Sequence, residues 1–400
     1  MGGPLASGLT REQRSVLRTT CASHGLIHVY ELSVPALLLL IQAEFGAGDF
    51  RMGGVAALYA LLFGLGALPA GWLADRIGPK PLLVVCLWGG SFGMLGMALA
   101  PSLGWFAASA AAMGLALSIY HPAGTALLTH SLPASGRVFA LHGMAGNFGV
   151  ASASLIAGSL GAVLGWRWAI GSLAVAGAAL GARSLTLPAP AVHEIRARDG
   201  HGRWASFLLL LAATLFMGMV YRGMATFLPK FLALTYASDT RIGTALGGSL
   251  ATAALLVGLA GMWVAGRWID RGTHPARAFL LGAAAQAPFL VAIGFVPGTY
   301  VLPLFMVVAF FHFFTQPAGN HMVADFTPPR LRGLGYGVYF LMTFGVGAIG
   351  APLGGFVSER WGLARTFPVL ALILVPCIVA TAALVLAVDR DRRGFPTRPG

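Results

Sequence analysis

The residues with most chemistry per unit length are His24, His28 and Glu31. On a helix, spacings of four and three stack these side chains on one face within about 10 Å, at a rise of 1.5 Å per residue. Imidazoles titrate near neutrality, and a carboxylate in reach can exchange a proton with them, so the stripe can carry protons. Tyr30 and Pro35 adjoin it. His312, Gln316 and Asn320 form a second stripe, each four residues from the last. Tyr120 and His121 lie in one further apolar stretch, and His142 and Asn147 in the next. Arg222 stands alone in another, where its planar guanidinium could grip a carboxylate or phosphate. His24 and His28 also have ligand-capable spacing, and Met217, Met219 and Met224 could add soft sulfur donors. Methionine in an apolar run is more often packing material, so the expectation is no bound metal and no cofactor. Metal cargo stays open as an alternative.

These groups sit in a chain that is 57% hydrophobic and only 10% charged, with a mean hydropathy of +0.78. Soluble domains carry about a quarter charged residues, so hydrocarbon is the natural solvent here. Apolar runs fall near 17–42, 52–74, 81–100, 103–129, 137–162, 166–187, 205–234, 242–266, 277–296, 299–324, 332–357 and 363–388. Twelve all-helical spans put both termini on one side. The +13 net charge is not one nucleic-acid patch but short clusters between spans, with 19 of 26 Lys and Arg on the side of the termini. That asymmetry places both termini in the cytoplasm. Glu31 inside the first run, and that run's length, argue against a cleaved signal peptide. The expected boundaries are a tail at 1–15, a six-helix bundle at 16–187, a linker at 188–203, a second bundle at 204–388 and a tail at 389–400.

An ionisable group at mid-bilayer is costly, so each one inside a span is a functional candidate. Pro122 and Pro317 deny the carbonyls of Ser118 and Phe313 their usual amide partners, which directs both toward a cavity and lets the helices bend there.

The sequence repeats at an offset of 195. Gly71-Trp-Leu-Ala-Asp75-Arg76 returns as Gly266-Arg-Trp-Ile-Asp270-Arg271, and His121-Pro-Ala-Gly124 as Gln316-Pro-Ala-Gly319. Arg137 and Arg332, and Trp166 and Trp361, keep the same register, which implies a duplicated six-span unit. With Gly71-Trp-Leu-Ala-Asp75-Arg76-Ile-Gly78-Pro-Lys80 between the second and third spans, the chain resembles the major facilitator superfamily over essentially its whole length. Tyr120-His121-Pro122, the histidine-bearing first span and Gly143-Met-Ala-Gly146-Asn147-Phe-Gly149 resemble that family's fosmidomycin-resistance branch. The fourth span lacks the arginine, and the fifth the Gly-Pro pair, usual in the broader drug-exporter group.

The resemblance implies a conformational latch at Gly71, Asp75, Arg76, Gly78 and Lys80, echoed by Asp270 and Arg271. It implies that His24, His28, Glu31, His121, Arg222, His312 and Gln316 line a central pathway. The expected activity is alternating-access transport, by proton-coupled efflux of a small compound that Arg222 would suit to carry an anionic group. Uptake of a small solute and transport of a transition metal or its chelate are the alternatives, and a non-transporting sensor is the alternative of another class. Expected partners are the solute, protons and bilayer lipid, without nucleic acid. The expected form is a monomer in the plasma membrane, the inner membrane of a bacterium. No phosphate-binding loop or nucleophile elbow supports an enzyme.

Overall fold

The computed structural model describes residues 9–132, 136–189 and 202–394. The described residues are helical throughout, without strands. Eleven segments are long and apolar enough to cross a bilayer, and a bent helix pair at the start makes a twelfth. That pair is α1 (Arg11–Ala36) and α2 (Leu38–Phe45), angled at 53°. Pro35 accounts for the bend, because its ring cannot donate to the carbonyl of Glu31 one turn back. Thr10 and Gln13 cap each other's backbone amides in a capping box, so α1 starts inside the expected tail.

The second and third spans are α3 (Asp49–Ile77) and α4 (Pro79–Ala98). Gly78 between them has φ +84°, which only glycine adopts without strain. The fourth span is broken into α5 (Leu103–Leu117) and α6 (Tyr120–Ser131). The break falls at Ser118 and Ile119, where Pro122 withholds the amide that Ser118 would accept. The fifth and sixth spans are α7 (Gly136–Leu164) and α8 (Trp166–Leu185). Arg167 on α8 donates to the end carbonyls Ala98 (2.8 Å) and Ala100 (2.7 Å) and grips Glu44, which also accepts from Trp166 Nε1 at 2.6 Å.

After the linker come α9 (Trp204–Tyr236), α10 (Thr240–Asp270), α11 (Pro275–Ile293) and α12 (Gly298–Phe326). Pro317 is held within the single helix α12, unlike its counterpart Pro122. The eleventh span is α13 (Arg332–Phe340), a π-helical turn at Leu341–Gly345, a 3-10 turn at Val346–Ile349, and α14 (Gly350–Trp361). The twelfth is α15 (Thr366–Gly394).

Contacts divide the chain into two units whose border differs from that of the two sequence halves. One holds residues 1–195 together with Ala225–Thr252; the other holds 196–224 and 253–400. The facing ends of α9 and α10 thus pack as part of the first unit. Small residues permit this: a Cβ on Gly158 would lie 2.8 Å from the Thr244 carbonyl oxygen, and the amide of Leu155 donates to Thr252 Oγ1 at 3.0 Å. The expected linker lies almost wholly outside the described residues.

Candidate functional site

In the first unit, α1, α6 and α7 bring His24, His28, Glu31, Tyr120, His121 and His142 together. His28 Nδ1 lies 2.9 Å from Glu31 Oε2, so the three-residue spacing does bring them together. The ring centroids of His24 and His28 are 5.2 Å apart, and His121 approaches both, at 5.3 and 5.8 Å. His142 stacks on His24 at 4.2 Å. His24, Glu31, Tyr120 and His142 are buried, while His28 and His121 are partly accessible.

Hydrogen-bond chemistry fixes several protons. His24 Nδ1 is 2.8 Å from the backbone carbonyl of His142, which can only accept, so Nδ1 carries the hydrogen. The Tyr120 hydroxyl has one hydrogen and contacts the Thr20 carbonyl, another pure acceptor. His142 Nε2, 3.0 Å away, must therefore donate to the phenolic oxygen. A chain runs from the His142 ring through Tyr120 to the α1 backbone.

Two glycines of the run in α7 create the room. A Cβ on Gly146 would fall 2.5 Å from His24 Nε2 and 2.7 Å from Nδ1, with Cε1 closer still. A Cβ on Gly149 would strike the backbone of Gly25, including its Cα at 2.7 Å. α7 lies against α1 because these positions lack side chains. The break before Pro122 brings Tyr120 and His121 in at the first turn of α6.

In the second unit, His312 stacks on Tyr221 with centroids 5.2 Å apart, and its Nδ1 donates to Gln286 Oε1 at 3.3 Å. Gln286 Nε2 in turn donates to the Gly282 carbonyl at 3.1 Å and approaches Met217 Sδ at 3.5 Å. Arg222 is only 3% exposed, with its guanidinium carbon 5.9 Å from the Tyr221 ring. The stripe on α12 is graded: His312 is buried, Gln316 half-buried and Asn320 exposed, its carbonyl accepting from Tyr336. Asn147 is half-buried beside Gly146.

Of the latch residues, Arg76 is exposed and stacks on Trp72 at 4.0 Å, while Asp270 and Arg271 are exposed where α10 ends. Gly71 and Lys80 are half-buried on α3 and α4. The Asp75 side chain lies outside the described residues.

Sequence reasoning missed a charged contact in the first unit. Lys230 on α9 lies 2.5 Å from Asp49 at the start of α3 and donates to Gln42 Oε1 at 2.9 Å. Their side chains are only 12% and 8% exposed. Read alone, Lys230 is a loop-side topology charge; no local spacing pairs it with a residue 181 positions away. Gln286 and Tyr221 were missed for the same reason.

The sequence matches the major facilitator superfamily over residues 26–350 and again over 236–400. The chain belongs to that superfamily. A bacterial homologue of the human lysosomal transporter Spinster, in an inward-facing and unoccupied conformation, superimposes with a TM-score of 0.79 at 16% identity, covering 94% of this chain and 98% of its own. The nucleoside transporter NupG gives 0.74 at 16% identity, covering 92% and 99%. A POT family transporter in complex with 5-aminolevulinic acid gives 0.74 at 14%, covering 92% and 95%. No curated protein matches the sequence. This major facilitator chain is therefore a multi-pass membrane transporter rather than an enzyme, and its fold is the superfamily's.

Proposed function

We propose that the chain is a proton-coupled carrier whose coupling site is the Glu31–His28 contact and the imidazoles around it. The observation that carries the reading is a carboxylate and four histidines gathered inside one helical unit, where burial makes each ionisable group costly. A group that must alternate between proton-bound and proton-free states needs a partner for each state, and His28 supplies one to Glu31. Resemblance to the fosmidomycin-resistance branch supports efflux by antiport across a plasma membrane. The 19 basic residues on the side of the termini support a cytoplasmic placement for both ends. Buried Arg222 supports a small solute with an anionic group.

Alternating exposure requires the ends of α9 and α10 to leave α2, α3 and α7, so the Lys230–Asp49 pair acts as a closing contact that each cycle breaks. Resemblance to the superfamily's signature loop supports a latch role for Asp75, Arg76, Asp270 and Arg271. The test is reconstitution in liposomes with a pH-sensitive dye inside. Solute-dependent proton flux is expected from the native chain and is lost in folded Glu31→Gln. Undiminished flux in that variant removes Glu31 from coupling.

A further inference from the structure

One ring nitrogen from each of His24, His28 and His121 lies within 4.8 Å of the other two. The geometry points to a binding site for a divalent transition-metal cation at these three imidazoles, with the cation as cargo alongside an anionic counter-ligand. Three observations support it.

First, the protons point the right way. His24 Nδ1 spends its hydrogen on the His142 carbonyl, which leaves Nε2 as the lone-pair nitrogen of the neutral ring. His28 Nδ1 faces the Glu31 carboxylate, which accepts the Nδ1 hydrogen and makes Nε2 the lone-pair nitrogen there too. A backbone carbonyl and a carboxylate behind two imidazoles are the outer partners that orient metal-ligating histidines and raise their basicity.

Second, the spacing needs little adjustment. Imidazole nitrogens bound to zinc at about 2.0–2.1 Å in tetrahedral geometry lie about 3.3 Å apart. Side-chain rotation supplies the difference from 4.8 Å, because His28 and His121 are only partly buried. His24 and His28 come from successive turns of α1, and the break in the fourth span brings in His121.

Third, the donor set is open. Three nitrogens leave a fourth position for water or an anionic counter-ligand, as at sites that exchange what they bind, whereas structural zinc sites close all four. His142 is not one of the set, which among the described residues is His24, His28 and His121. An all-imidazole set favours zinc, cobalt or nickel over magnesium and calcium, which take oxygen ligands.

The cargo role rests on the carrier reading; the binding site does not. The experiment uses the full chain, purified on a tag without histidines and titrated with Co²⁺ in micelles. The native protein should bind one Co²⁺ with the visible bands of a four-coordinate ion, and Zn²⁺ but not Mg²⁺ should displace it. His28→Gln and His121→Gln should each abolish the bands. Glu31→Gln should weaken binding about 10–100-fold. His321→Gln, an exposed site on α12 paired with Asp325, should change nothing. X-ray absorption on the native protein with one equivalent of Zn²⁺ needs no variant, and should show imidazole nitrogens at about 2.0–2.1 Å. Folded native protein without saturable Co²⁺ binding overturns the site, as does binding that survives both ligand variants. Binding without Co²⁺ passage across proteoliposomes overturns the cargo role. A native protein that fails with Co²⁺ yet shows solute-dependent proton flux loses the metal site and keeps the carrier.

Discussion

Replacing Gly146 by alanine tests how the site is held, because it adds one methyl group and alters no polar atom. The new Cβ would sit 2.5 Å from His24 Nε2, whereas ordinary contact begins near 3.4 Å, so ring or backbone must yield by about 0.9 Å. The ring resists, because its Nδ1 is held at 2.8 Å by the His142 carbonyl and it is stacked on the His142 ring. α7 resists as well, because Gly149 already touches the backbone of Gly25. Overpacking at such a point costs about 1–3 kcal/mol. The assay is a double-mutant cycle on purified protein, with stability read from thermal or chemical unfolding. Gly146→Ala should destabilise, and His24→Ala should destabilise by leaving a cavity and removing the bond to the His142 carbonyl. The double variant should recover roughly the overpacking cost, because the methyl then occupies vacated space. Gly149→Ala should find no such rescue, since it strikes backbone. Strict additivity of Gly146→Ala and His24→Ala would refute the claim that this glycine exists to admit the imidazole.

Three further outcomes follow from the same geometry. Tyr120→Phe removes the hydroxyl between His142 and Thr20, leaving the His142 Nε2 donor unmatched. It should cost about 1–3 kcal/mol in unfolding and slow transport, and a neutral substitution would break the hydrogen-bond chain described here. Lys230→Met removes the counter-charge that Lys230 gives the nearly buried Asp49, which keeps the neutral donor Gln42 Nε2 at 2.8 Å, and should cost about 3–5 kcal/mol, most of it recovered in Lys230→Met with Asp49→Leu. An equal loss in the single and double variants would mean that packing, rather than charge, holds the pair. His312→Ala leaves the Gln286 amide oxygen without its donor at 3.3 Å and should destabilise by about 1–3 kcal/mol. Gln286→Leu in the same protein should relieve part of that loss, and additive losses would contradict the pairing.

Features governed by local chemistry could be read from the sequence. Hydropathy located the spans, because hydrocarbon imposes a length and a composition on each one. Four- and three-residue spacing placed His28 on Glu31, and Pro122 marked the break in the fourth span. Helix periodicity could not say which neighbour a face would meet. The contacts of His24 with His121 and His142, of His312 with Gln286, and of Lys230 with Asp49 are tertiary pairings set by where glycines let helices approach. Pro317 shows the limit from the other side: it matches Pro122 in register, yet α12 carries it without a break. The ends of α9 and α10 pack with the first unit for the same reason, since covalent order does not dictate where a helix end packs.

The account depends on one site being exposed to each side of the membrane in turn. The direct measurement replaces Cys21, Cys86 and Cys377, places a single cysteine at position 28, and labels it with a membrane-impermeant thiol reagent from each face of oriented vesicles. Labelling is expected from both faces. A disulfide engineered between positions 49 and 230 should abolish reaction from the face that bears Lys230 and spare the other. Labelling from one face only without that cross-link, or from both faces with it formed, would contradict alternating access to the histidine cluster.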